Sequence, residues 1–299
     1  MIQLPGVAAL LEAPTAVGRR PGLRELEQAA DEGNAHAQTL FGWLLESGAL
    51  MEGPNHSRAV DYFEKAAPRS ADAAFSLADC LRLGSGVPMA QPTRAVEMYR
   101  LALDQGHVRA AFWLGYMHEH GLGVPANQLE ADRLYCRGAM EFGCARAQTA
   151  WAVHLLTQPE DSMTTVRNNN ALDLLRAAAR QGHADAHLTL GMLFLGHLQS
   201  VNVPQDEALA RFHLDLAANM AQPMAQFLLA GLLLRAPEND NEQQRAAQLL
   251  EAAVAAEVPP AMEALADLLE TGTPPFAADK VRARRLRQHA AQLSSSSSS

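Results

Sequence analysis

The 299-residue chain is 48% hydrophobic and 5% aromatic, and its 24 basic and 33 acidic residues give a formal charge of −9. That much apolar material excludes wholesale disorder, and the acidic balance excludes the basic footprint of a general nucleic-acid binder. No stretch approaches the ~20 apolar residues of a membrane span, and three scattered cysteines, Cys80, Cys136 and Cys144, make no disulfide framework.

In chain order, residues 1–22 come first as a separate N-terminal segment. Its positive charges follow an apolar run that Glu12 and two prolines interrupt, so it does not read as a signal peptide. A reducing, cytoplasmic setting is the expectation.

A repeat begins at Ala37. An alanine is followed four residues later by a large apolar residue and then at once by a small one, with further anchors at Ala73, Ala110, Ala147, Ala186, Ala225 and Ala261. The successive spacings are 36, 37, 37, 39, 39 and 36. The large residues are Phe41, Leu77, Leu114, Trp151, Leu190, Leu229 and Leu265, and the small ones include Gly42, Gly115 and Gly191. Glycine inside a helix costs roughly 1 kcal/mol against alanine, so close approach of a neighbouring helix is expected at these three. Eight residues after each anchor stands another apolar residue, except that the third unit has His118, expected as a half-buried, hydrogen-bonded side chain. The +4 and +8 residues share one helix face.

Each first helix runs into a turn, clearest at Gly84-Ser-Gly86-Val87-Pro88 and Gly121-Leu-Gly123-Val124-Pro125. Glycine ends a helix in the left-handed conformation and proline discourages its continuation. In units four to six the turns at 158–170, 196–204 and 237–242 lack this pattern and are expected to be irregular or longer. Second helices are predicted at 57–67, 93–103, 129–140, 171–182, 207–220, 244–257 and 279–293, where apolar residues recur every three or four positions. No run alternates as a strand would. A unit with apolar residues on both helices buries them by stacking, giving a superhelix with a concave and a convex face.

RAAFWLGYMHEHGLGVP (109–125), AAARQGHADAHLTLGMLF (177–194) and YFEKAA (62–67) carry a resemblance to the Sel1-like repeat, a relative of the tetratricopeptide repeat. It covers roughly residues 35 to 293, and LRELEQAADEGNA (23–35) looks like the second helix of a truncated leading unit. The resemblance implies an all-α fold: a right-handed superhelical solenoid of about seven helix-turn-helix repeats over 23–293, before a disordered serine tail at 294–299.

Chemistry is hard to find. His118 and His120 diverge on a helix, while His183 and His187 share a face with Asp185 near but no third strong ligand. No Gly-x-Ser-x-Gly elbow or phosphate-binding loop is present. No metal, cofactor or catalytic residue is therefore assigned, and the chain is read as a non-enzyme. The basic run Lys280, Arg282, Arg284, Arg285 and Arg287 reads as the solvated face of a capping helix, with an anionic partner as the alternative.

By analogy with tetratricopeptide arrays, first helices line the concave groove, where a protein or peptide partner would lie, with no nucleic acid or membrane involved. At +6 and +9 from the anchors stand Trp43, Arg82, Tyr116, Glu119, Val153, Leu156, Met192 and Leu195. At +2 stand Phe75, Phe112, Leu188 and Phe227, which either face the groove or pack against the neighbouring unit; Arg109 and Arg146 lie at −1. The function expected is an adaptor or scaffold. The alternatives are an immunity protein neutralising a toxin or effector and, from another class, a hydrolase or ligand-binding protein on the same scaffold.

Overall fold

The computed structural model describes residues 16–50, 53–158, 164–198, 203–235 and 239–296. Every regular element among them is helical. The chain divides into two compact units, residues 1–147 and 148–299.

In the first unit α1 (Ala16–Asp31) precedes the hairpins α2 (Ala35–Glu46) with α3 (His56–Ala66), α4 (Ala71–Leu83) with α5 (Pro92–Asp104), and α6 (Ala110–His120) with α7 (Gln128–Met140). Each hairpin packs on the next through α3 against α4 and α5 against α6. Helix α8 (Ala145–Thr157) contains the boundary between the units. In the second unit α9 (Thr164–Arg180) packs on α10 (Ala184–Phe194). Three hairpins follow from there: α10 with α11 (Glu207–Asn219), α12 (Pro223–Arg235) with α13 (Asp240–Ala255), and α14 (Pro259–Thr271) with α15 (Lys280–Ser296). This is the all-helical solenoid class the repeat implied.

The anchor alanines explain the stacking. Ala37, Ala73, Ala110, Ala147, Ala186, Ala225 and Ala261 are all fully buried. Where the small position is glycine, at Gly42, Gly115 and Gly191, it faces the second helix of its own hairpin. A Cβ on Gly115 would lie 2.8 Å from Tyr135 Cε1, and one on Gly191 2.6 Å from Leu214 Cγ. The glycine cost inside α6 and α10 is thus offset by letting Tyr135 and Leu214 lie flat against the backbone.

Turn chemistry follows the sequence in the first unit. Gly84 ends α4 at φ 76° and Gly121 ends α6 at φ 66°, both left-handed caps. The second glycine of each turn has a further reason to lack a side chain. A Cβ on Gly86 would strike the His56 carbonyl, and one on Gly123 the Pro92 backbone, so each turn rests on the start of the preceding second helix. Asn55 and Asn127 accept from the backbone N–H groups of Arg58 and Glu130 and so cap α3 and α7.

Several boundaries move. Helix α1 starts at Ala16, inside the segment set apart as 1–22, whose first fifteen residues lie outside the described ones. Helix α9 starts at Thr164, seven residues before the expected 171, and α13 at Asp240 rather than 244. The other parts of the expected irregular turns at 159–163, 199–202 and 237–238 lie outside the described residues. Helix α15 continues to Ser296, past the expected boundary at 293. There the hydroxyls of Ser294 and Ser295 donate to the carbonyls of Ala290 and Gln292, which lets serine sit in a helix; residues 297–299 lie outside the described ones.

Candidate functional site

In the first unit the +6 and +9 side chains of one first helix reach the +3 side chain of the next. Trp43 on α2 is 38% exposed, and its Nε1–H donates to Ser76 Oγ on α4 at 2.8 Å. Arg82 on α4 lies over the Trp113 ring of α6, its guanidinium carbon 4.1 Å from the ring centroid. The same guanidinium donates through Nε to the Tyr99 hydroxyl at 3.0 Å and through a terminal nitrogen to Asp79 at 3.2 Å. Its charge is committed within the fold.

Around Trp113 an aromatic cluster spreads along α6. Phe112 meets it edge-on at 5.2 Å, Tyr116 edge-on at 5.7 Å, and Tyr116 stacks on His120 at 4.1 Å. Edge-to-face pairs are favoured by the ring quadrupole. Glu119 accepts from the Tyr135 hydroxyl at 2.6 Å, and burial and this carboxylate together push the phenol's pKa up.

Two exposed arginines flank the cluster one repeat apart. The Arg109 guanidinium lies 4.4 Å from the centroid of Phe75, and that of Arg146 lies 5.9 Å from Phe112 and 5.6 Å from Trp113. Neither forms an ion pair among the described residues, whereas Arg58, Arg82, Arg94 and Arg137 of the same unit all do. An aromatic face under a cation is an attractive arrangement, and here it holds two unneutralised charges at the surface of an acidic chain.

Not every expected groove residue lies on such a face. Phe75 is 2% exposed, stacked on His107 at 4.0 Å and edge-on to Tyr99. It belongs to the core, because the +2 position meets the corner leading into the next repeat. Leu156 is likewise buried, at 2% exposure, while Trp151 is only half-buried and Val153 is exposed. The buried face of α8 is therefore displaced from the one that the repeat register indicates. In the second unit Leu188 and Leu195 pack against the cluster around Leu214 and Leu229, Phe227 packs against that around Leu250 and Leu265, and Met192 is half-buried.

The histidines do not converge. His183 meets the Thr149 hydroxyl at 3.1 Å, whereas His187 turns to His213, with Nδ1 facing Nδ1 at 3.0 Å. His118 differs from expectation: it is 9% exposed, and neither ring nitrogen has a hydrogen-bond partner among the described residues. It occupies a slot that other repeats give to leucine or phenylalanine. No three His, Cys, Asp or Glu side chains cluster as metal ligands among the described residues, and no described helix is long and apolar enough to cross a membrane. In the basic run, Arg282 pairs with Glu251 and Arg287 with Asp267 and Glu270.

Two features escaped sequence reasoning. Trp113 is one, although a tryptophan at a +3 position that is otherwise aliphatic, small or hydroxylic was a signal. The other is a ladder of ion pairs between consecutive second helices: Glu27–Arg58 (α1 to α3), Glu64–Arg94 (α3 to α5), Asp215–Arg245 (α11 to α13) and Glu251–Arg282 (α13 to α15). The arginine always immediately precedes a buried alanine, Ala59, Ala95, Ala246 or Ala283. In the last three pairs named whose acid is Glu64, Asp215 or Glu251, that acid lies five residues after such an alanine, Ala59, Ala210 or Ala246. Exposed pairs of this kind contribute about 0–1 kcal/mol each and chiefly fix register.

The Sel1 repeat family matches residues 35–67, 71–107, 108–141, 164–183, 189–221 and 259–295, more than half of the chain. The chain is similar to the ERAD-associated E3 ubiquitin-protein ligase component HRD3A of Arabidopsis thaliana, at 30% identity over 136 residues. That match takes in 42% of this chain and 20% of the relative, so the chain spans about a fifth of the relative's length. Among solved structures it resembles a Sel1 repeat protein from Oxalobacter formigenes, with a TM-score of 0.69 and 20% identity over 88% of this chain and 99% of that one. It also resembles an immunity protein from Pseudomonas aeruginosa, with a TM-score of 0.52 and 19% identity over 76% of this chain and 82% of that one. Both likenesses are of fold.

Proposed function

The chain belongs to the Sel1 repeat family, and on that premise we propose that it is a protein-interaction scaffold whose first unit holds an acidic segment of a partner protein. The observation that carries this reading is the pair Arg109 and Arg146, laid on aromatic rings one repeat apart with no carboxylate paired to either among the described residues. A segment with acidic side chains would find both charges, and an apolar side chain between them would meet Phe112 and Trp113. Charges of this sort raise the association rate and select the partner, while the aromatics supply contact area. The similarity to HRD3A, itself named as a component of a ligase, supports an adaptor role. The reading assigns no reaction to this chain.

The test is affinity capture from native lysate with the wild-type chain and with the double variant Arg109→Glu, Arg146→Glu, followed by mass spectrometry. Both positions are exposed, so helicity by circular dichroism should be unchanged. Proteins retained by the wild type should be lost from the double variant; recovery of the same set with both would reject the assignment. The likeness in fold to an immunity protein supports a narrower version, inhibition of one cognate toxin, which nanomolar inhibition of a single enzyme would establish.

A further inference from the structure

The ion-pair ladder is broken at one place in the second unit. Counting five residues after the buried Ala171 of α9 gives Arg176, where Glu64, Asp215 and Glu251 stand in α3, α11 and α13. The residue before Ala210 of α11 is Leu209, where α3, α5, α13 and α15 have arginine. The rung therefore has a cation in the acid's place and an aliphatic side chain in the cation's place. Arg176 is left with an ion pair to Asp173 of its own helix at 3.5 Å, and Leu209 remains 43% exposed.

At that break the surface opens into a cavity of about 370 Å³, within the range of small-ligand pockets. One wall is a single face of α9, formed by Thr165, Asn168, Asn169, Leu172 and Arg176 at helical spacing. Phe194, the segment 203–206 and Leu209 form the rest. Asn168 is only 5% exposed, and its Nδ2 has no hydrogen-bond partner among the described residues. A buried donor without an acceptor is uncommon and calls for an account. Asp206 also lines the cavity; its Oδ1 accepts from the Leu209 backbone N–H as the cap of α11.

We infer that this cavity is a binding site for a carboxylate carried next to an apolar side chain, as at the free C-terminus of a peptide ending in leucine. The ligand carboxylate supplies the opposite charge that Arg176 lacks across the rung, on the Leu209 side, and accepts from the Arg176 guanidinium, a pairing whose planar fork suits a carboxylate. Asn168 Nδ2 donates to a ligand oxygen. The apolar side chain lies against Leu172, Phe194 and Leu209. Asp206 keeps a second anion out of the far wall and favours a ligand N–H there, which the last peptide bond provides. The site uses α9 to α11 and none of the residues of the proposed partner face, so neither reading depends on the other.

Three probes separate the sources of that carboxylate in calorimetric titrations of the full chain: acetyl-Ala-Ala-Leu with a free terminus, the same peptide amidated, and amidated acetyl-Ala-Glu-Leu. The free acid should bind on the order of tenfold tighter than its amide, with the glutamate peptide in between if a side-chain carboxylate suffices and equal to the amide if a terminus is required. Arg176→Gln should remove the preference for the acid. Leu209→Glu should complete the rung from within, keep or raise the melting temperature and block the free acid. Equal binding of acid and amide, no binding of any probe, or an undiminished preference in Arg176→Gln would overturn the inference.

Discussion

A Cβ placed on Gly42 would lie 2.5 Å from Cε1 of Phe63, the aromatic side chain of α3 that covers this point of α2. Alanine gains roughly 1 kcal/mol over glycine in a helix interior, while forcing an extra methyl into a filled core costs about 1–3 kcal/mol. Gly42→Ala should therefore be neutral to destabilising by up to ~2 kcal/mol. Gly231 in α12 is the internal control, since apart from its chain neighbours and its own helix backbone no described atom lies within 4 Å of the position its Cβ would take. There the same substitution should stabilise by about 0.5–1 kcal/mol. Urea denaturation of both variants checks the pair; a Gly42→Ala protein as stabilised as Gly231→Ala would mean that close packing does not explain the glycine.

Tyr99 is the hidden support of the half-buried ring at Trp113. Its side chain is fully buried, and its hydroxyl donates to Asp79 and accepts from Arg82, the guanidinium that lies on Trp113. Tyr99→Phe preserves the ring packing and removes only the hydroxyl, leaving a half-buried carboxylate and guanidinium short of a partner. Loss of a hydrogen bond of this sort costs about 1–3 kcal/mol. Denaturation midpoints should fall accordingly, and the emission of Trp113, read in a variant lacking Trp43 and Trp151, should shift as Arg82 reorients. A Tyr99→Phe protein of unchanged stability would show that Asp79 and Arg82 suffice for each other.

What was legible followed from position-specific size. Alanine and glycine recurring at fixed intervals report where helices touch, and the anchors Ala37 to Ala261 are buried at every repeat. Cap residues such as Gly84 and Gly121 were equally plain. The face opposite the core was less so, because exposure there depends on small rotations of a helix. Phe75 and Phe112 occupy the same repeat position, yet Phe75 is sealed by His107 while Phe112 stays half-buried beside Arg146. The displaced face of α8, which buries Leu156, belongs to the same class of failure. The ladder was visible in principle, since arginine precedes a buried alanine in four second helices, but its acid partner lies about thirty residues away on another helix, where only stacking geometry joins them.

The histidine pair of the second unit makes a prediction about acid. His187 and His213 present Nδ1 atoms to each other at 3.0 Å, so one carries the shared hydrogen and the other accepts. Burial, then the neighbouring His187, then Arg176 hold the His213 pKa down to about 4 from an ordinary 6.5, and burial lowers that of His187 as well. Well above pH 6.5 both rings are neutral, folded or unfolded, and the pair's contribution to stability is complete. As the pH falls from 6.5 towards 4 the unfolded chain takes up protons that the folded pair refuses, so stability declines through that window. Melting temperatures recorded from pH 7.5 to 4.5 should drop, and a His213→Gln protein should show a shallower slope over the same interval. Parallel curves for the two proteins would place the acid sensitivity elsewhere than in this pair.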